Sequence, residues 1–250
     1  MLVVDDSTLD KPYAKKMALV HRHGSGKHHA VVEGINLITL LWSEGDRHVP
    51  LDYRIYDKAG DTLTKNDHFR TLLETAHTRG LVPECVVFDS GYSSLENLKP
   101  IRAWDWVWLN RLKANRLVNP DRTGARPVAP VDTDAHGQVV HLKGYGLIRL
   151  FLIVTPDGDK DYWATNDLNM KALTRVRFAS YAWTIETYHR GISSTIMGSN
   201  ALRFAPLALN AIISVLRYAP SYAWSAIVIA KESAGLRRNS LSSAPPSAPI

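Results

Sequence analysis

The spacing of apolar runs ahead of Asp89 constrains this chain more than any other feature. Met1–Val4, Val31–Trp42, Leu51–Tyr56 and Cys85–Phe88 are rich in Val, Ile, Leu and Phe and are set apart by polar segments, which reads as strands. Between the third and the fourth, Asp67–Gly80 has helical character, with Asn66 or Asp67 as its cap and Gly80 at its end. Strand, strand, strand, helix, strand is the order of a mixed α/β sheet. At 250 residues with 45% apolar content the chain can bury a full core. Cys85 is the only cysteine; it excludes a disulfide framework and reads as a small core residue in a reducing compartment. Met1 leads straight into the first strand, so no signal peptide is expected. The formal charge of +6 points to an anionic partner.

Three acids stand where apolar sequence turns polar. Asp6 follows the first run, Asp89 follows Cys-Val-Val-Phe, and Glu186 lies within Trp-Thr-Ile-Glu-Thr-Tyr-His-Arg, a segment that reads as a helix. Taken singly, each is an ordinary strand-end or helix-surface charge. If they converge, carboxylates with no basic partner in their own motifs would strain to stay ionised unless divalent metal neutralised them. Two metal ions in such a site are a device for phosphoryl transfer. Asp5 and Asp6 point to opposite faces of a strand, so only one of the two can line the site.

Trp104, Trp106 and Trp108 alternate with other residues, which predicts a strand with three indoles on one face, packing the sheet against a helix. Residues 117–165 read as a β-rich insertion with a hairpin turn at Pro156-Asp157-Gly158-Asp159. His21, His23, His28 and His29 flank a Gly24-Ser25-Gly26 turn and read as a solvated basic connection rather than a zinc site. Lys65, His68 and Arg70 read as surface residues. Ala205–Ala230 is apolar, but Pro206, Asn210, Arg217 and Pro220 interrupt it, which favours a core helix over a membrane span. Residues 233–250, rich in Ser, Pro and Ala, read as a disordered tail.

Six blocks in order carry a family resemblance: Val-Val-Asp-Asp-Ser-Thr, His-His-Ala-Val-Val-Glu-Gly-Ile-Asn-Leu-Ile-Thr-Leu-Leu-Trp, Asp-Tyr-Arg-Ile-Tyr-Asp-Lys, Val-Val-Phe-Asp-Ser-Gly-Tyr-Ser-Ser, Trp-Leu-Asn-Arg-Leu-Lys-Ala-Asn-Arg and Trp-Thr-Ile-Glu-Thr-Tyr-His-Arg-Gly. The chain resembles the DDE transposases of bacterial insertion sequences, in the IS-four-like group with a β-rich insertion between the second Asp and the Glu. The resemblance implies an α/β, ribonuclease H-like mixed sheet flanked by helices, with the insertion before the last catalytic helix. The core would be residues 1–116 and 166–232. It further implies metal-dependent DNA cleavage and strand transfer, with Asp6, Asp89 and Glu186 as catalytic and metal-binding residues for two divalent ions, magnesium or manganese in its place. In this group the first Asp stands directly before a hydroxyl pair, which selects Asp6, followed by Ser7 and Thr8. Arg111, Lys113, Arg116 and Arg190 become candidate DNA contacts. The implied partners are the DNA of the element's ends and its target, with a homodimer on paired ends, no membrane, and action at the nucleoid in the bacterial cytoplasm.

The chain also departs from the family. The Tyr, Arg and Lys that flank the family's Glu are replaced by Ala179, Ala182 and Ser193, and the chain begins at the first catalytic strand without the usual DNA-recognition region. A truncated or decaying copy is the expectation that follows. A second reading is therefore a remnant that engages DNA or an intact transposase without chemistry. A third, an aspartyl-phosphate hydrolase, needs a second acid where Ser7 stands.

Overall fold

The computed structural model of the chain describes residues 1–10, 19–25, 30–57 and 59–198. At its centre is β1 (Leu2–Asp10), where Leu2, Val3 and Val4 are all buried. A strand covered on both faces reads as a continuous apolar run rather than an alternating one. β1 pairs antiparallel with β3 (Ala30–Glu44), Leu2 opposite Trp42 and Asp10 opposite Gly34. On its other edge it pairs parallel with β5 (Val86–Phe88). β4 (Arg47–Tyr56) folds back antiparallel on β3, and β2 (His21–Ser25) pairs with the first residues of β3. Beyond β5 lies β6 (Trp108–Leu112), parallel to it.

Helices cover both faces. α1 (Lys65–Thr78) places Phe69 against Phe88 and Tyr92, with ring centroids 5.0 and 4.9 Å apart. On the opposite face, α3 (Ala172–Gly198) sets Ile185 against Val3 and Leu41, and Phe178 in a cluster with Met1, Val87, Leu109 and Trp163. α2 (Leu95–Ala103) forms the crossover between β5 and β6. The stretch 117–165 is β-rich, as its sequence predicts. β7 (Leu117–Asn119), β8 (Arg126–Pro127), β9 (Gln138–Leu142), β10 (Gly146–Val154) and β11 (Lys160–Thr165) extend the same sheet, with β11 antiparallel to β6 and β10 and β9 following. The β10–β11 turn falls at the predicted residues. Thr155 N–H donates to the Asp159 carbonyl at 2.9 Å, and Gly158 takes the left-handed φ of 86° that a side chain would resist.

Several expectations change. α1 is capped by Thr64, not Asn66 or Asp67: the Thr64 hydroxyl accepts from Asp67 N–H, and the Asp67 carboxylate accepts from Thr64 N–H, a reciprocal box that serves both orphan donors. The three indoles do not share a strand face. Trp104 closes α2, Asp105 turns left-handed at φ 58°, and β6 begins only at Trp108. Trp104 and Trp106 instead pack on His77 at the end of α1, and Trp108 is fully buried with its indole N–H donating to Tyr145 Oη at 2.8 Å. His21–Ser25 forms a ladder rather than a loop, because β3 is long enough to offer it an edge. His68 is buried and bonded to Asp61, not a surface group. His28, His29, the Ala205–Ala230 segment and the Ser/Pro/Ala tail lie outside the described residues. Among the described residues, no helix is long and apolar enough to cross a membrane.

Candidate carboxylate site

The two adjacent acids of β1 divide between the faces of the sheet. Val3 packs against Ile185 of α3, and strand alternation carries Asp5 to that same side. Asp6 turns to the α1 side, where it is fully engaged. Its Oδ2 accepts from Lys65 Nζ at 2.7 Å and Asn36 Nδ2 at 2.9 Å, and its Oδ1 accepts from Tyr92 Oη at 2.8 Å. Burial alone would raise Asp6, but Lys65, then Asn36 and Tyr92, outweigh it and hold the carboxyl below the usual carboxylate range.

Asp5 has the opposite surroundings. Removal from water and the adjacent Asp6 charge push its carboxyl up to about 8, and Asp89 and Glu186 push the same way. Asp89 follows β5 and caps the 3-10 turn Ser90–Tyr92, accepting from Gly91 N–H at 2.6 Å. Burial raises Asp89, and so does Asp6, against the Gly91 N–H and the Arg111 charge. Glu186 lies on α3 one residue past Ile185, half-exposed, with Arg190 Nη2 at 3.5 Å. One turn further, His189 is buried and its Nε2 lies 3.1 Å from Thr39 Oγ1, the residue opposite Asp5 in the β1–β3 ladder. Burial holds His189 down to about 4 against the pull of Asp6, which leaves the imidazole neutral at ordinary pH.

Asp5 and Asp89 directly follow the paired residues Val4 and Phe88 of the adjacent strands β1 and β5, Asp5 feels the charges of Asp89 and Glu186, and Asp6 has Lys65 as its own counter-ion. A half-buried carboxyl whose charged neighbours are other carboxylates is the donor chemistry that magnesium or manganese takes. Among the described residues, no three His, Cys, Asp or Glu side chains are drawn closely enough together to hold an ion as they stand. Sequence reasoning missed Asn36 and Tyr92, took Lys65 for a surface charge, and took His189 for a possible phosphate contact where the structure buries it against Thr39. The place of Tyr92 three residues after Asp89 is the one local signal that could have pointed to it.

The four basic candidates differ in placement. Arg111 projects from β6, half-exposed, 3.6 Å from Asp161 and over the Trp163 ring at 5.2 Å. Lys113 is exposed just beyond β6. Arg116 is half-buried, with one guanidinium nitrogen unpaired. Arg190 lies over the Trp183 ring at 4.6 Å, on the same helix as Glu186. Ala179 and Ala182 pack against the cluster beneath α3.

No protein-family model and no curated protein matches the chain. Among solved structures it is similar to piggyBac transposase, in a cryo-EM structure of that protein's synaptic complex with hairpin DNA. The TM-score is 0.56 at 12% sequence identity, over 92% of this chain and 48% of that one. The chain therefore spans about half the length of the protein it matches. With its large mixed sheet and three helices among the described residues, it has a transposase-like fold.

Proposed function

We propose that the chain is the catalytic domain of a DDE transposase of an insertion sequence, ribonuclease H-like in its core, which cuts DNA and joins strands with the help of two divalent ions. The observation that supports this reading is the placement of Asp5 and Asp89 just past the paired residues Val4 and Phe88 on adjacent parallel strands, with the charge of Glu186 felt at Asp5, within a transposase-like fold. Asp5 takes the role that the hydroxyl pair alone would give to Asp6, because Asp6 is already neutralised by Lys65. Magnesium, or manganese in its place, would supply charge neutralisation and activation of the attacking oxygen when held by Asp5, Asp89 and Glu186.

The chain's own residues do the rest. Asp5, whose carboxyl burial and the adjacent Asp6 push up to about 8, would have to release its proton to serve as a ligand to a cation. Neutral His189 bonds to Thr39 and holds α3 over β3, which keeps Glu186 at the rim of the site. Arg111 and Lys113 offer charge to the phosphates of a DNA strand crossing the ends of β5 and β6. DNA is the partner in this reading, as in the synaptic complex of the structural neighbour, with paired copies at the bacterial nucleoid.

A second reading, a DNA-engaging remnant without chemistry, is favoured by one observation: Ala179 and Ala182, partly buried against the core cluster, stand where the resembled family carries DNA-facing side chains. Manganese calorimetry on the wild type and on Asp5→Asn, Asp6→Asn, Asp89→Asn and Glu186→Gln, followed by plasmid nicking, separates the two. The catalytic reading expects about two ions bound and a loss of affinity in the Asp5, Asp89 and Glu186 variants. Identical titrations in all five proteins would leave only the remnant.

A further inference from the structure

We infer that Asp6 is a positioning residue, the anchor of a polar clamp that fixes the turn bearing Asp89, with Lys65 as the counter-ion that makes the clamp stable; this rests on the catalytic reading above. The clamp joins elements far apart in sequence. Lys65 opens α1, Asn36 lies on β3, and Tyr92 ends the 3-10 turn that Asp89 caps. All three donate to the Asp6 carboxylate, at 2.7, 2.9 and 2.8 Å.

Tyr92 is the hinge of the arrangement. It is 2% exposed, its ring stacks on Phe69, and its N–H donates to the Asp89 carbonyl at 3.2 Å. Its own carbonyl accepts from Asn97 Nδ2 at 2.9 Å, and that amide also donates to Asn66, beside Lys65, at 2.6 Å. The turn is therefore held at its hydroxyl by β1, at its ring by α1 and at its carbonyl by α2. Asp89 has little freedom left, and its carboxylate is fixed where Gly91 N–H meets it. Without Lys65, Asp6 becomes an uncompensated, partly buried charge in range of Asp89, and the turn is pushed away from β1.

The test uses the full chain with two readouts. The first is hydrogen exchange at the Gly91 amide in metal-free protein; the second is manganese affinity. Lys65→Met and Tyr92→Phe should each speed Gly91 exchange and weaken manganese binding by roughly 10–100-fold, the range for residues that orient a ligand. Lys65→Arg should preserve both, and adding Asp6→Asn to Lys65→Met should recover most of the affinity, because the stranded charge is gone. Unchanged exchange and affinity in Lys65→Met and Tyr92→Phe overturn the inference. So does an Asp6→Asn variant that loses manganese as completely as Asp5→Asn, which would make Asp6 a ligand. If the wild type binds no manganese yet Gly91 exchange responds as described, the clamp stands and the metal reading falls.

Discussion

Replacing Asp5 by Asn should stabilise the metal-free chain, and the gain should grow with pH. The folded carboxyl sits at about 8, whereas an unfolded Asp titrates near 3.9. Between these values the folded state binds the extra proton, so this group's contribution is fully present below about pH 4 and is lost as pH rises through about 8. Two-state linkage gives a cost of about 2 kcal/mol at pH 5 and about 4 kcal/mol at pH 7. Asp5 keeps some contact with solvent, and halving both figures for screening leaves about 1 and about 2 kcal/mol. Asn removes the charge at nearly constant volume, so urea denaturation of wild type and Asp5→Asn at both pH values, without divalent metal, reads the difference directly. A gain independent of pH, or a loss that deepens toward pH 8, would refute the claim that burial, together with the neighbouring carboxylates, raises Asp5. Saturating manganese should reverse the order of the two proteins, since only the wild type offers the ionised acid.

Other expectations follow from single contacts. Thr64→Ala should cost about 0.5–2 kcal/mol by opening the reciprocal cap of α1, while Thr64→Ser keeps it; thermal melts compare the pair. Trp108→Phe removes the donor to the buried Tyr145 hydroxyl and should lower stability by roughly 1–3 kcal/mol in urea titration. Arg111→Ala should weaken binding to duplex DNA and make the log–log salt slope shallower by about 1.

The central strands were legible because their apolar runs are short, β-branched and punctuated, and because burial on both faces leaves them no other solution. β3, β4 and α1 fall within a few residues of their sequence-based positions for the same reason. α2 was not legible: Pro100 interrupts its helical pattern, and only Asn97, Leu98 and Ile101 are buried. The Trp104–Trp108 alternation has the right period for a strand, but a left-handed turn at Asp105, invisible to periodicity, splits it. Asp5 and Asp6 could be assigned to opposite faces and no further. Which face belongs to the helix with Glu186 is decided by Val3 meeting Ile185, a contact across most of the chain. Lys65 read as a surface charge because nothing local links it to an acid fifty-nine positions away.

The seam of α3 has one more consequence. Phe178, Ile185 and His189 set the helix's angular phase against the sheet, and Glu186, one residue past Ile185, stands about 100° around the helix from that seam. Its azimuth is thus inherited from hydrophobic packing and owes nothing to its own contacts. One residue inserted between Phe178 and Ile185 would advance the helix by only about 1.5 Å but swing Glu186 through about 100°. The carboxylate tolerates small sliding along the helix axis and almost no change of count.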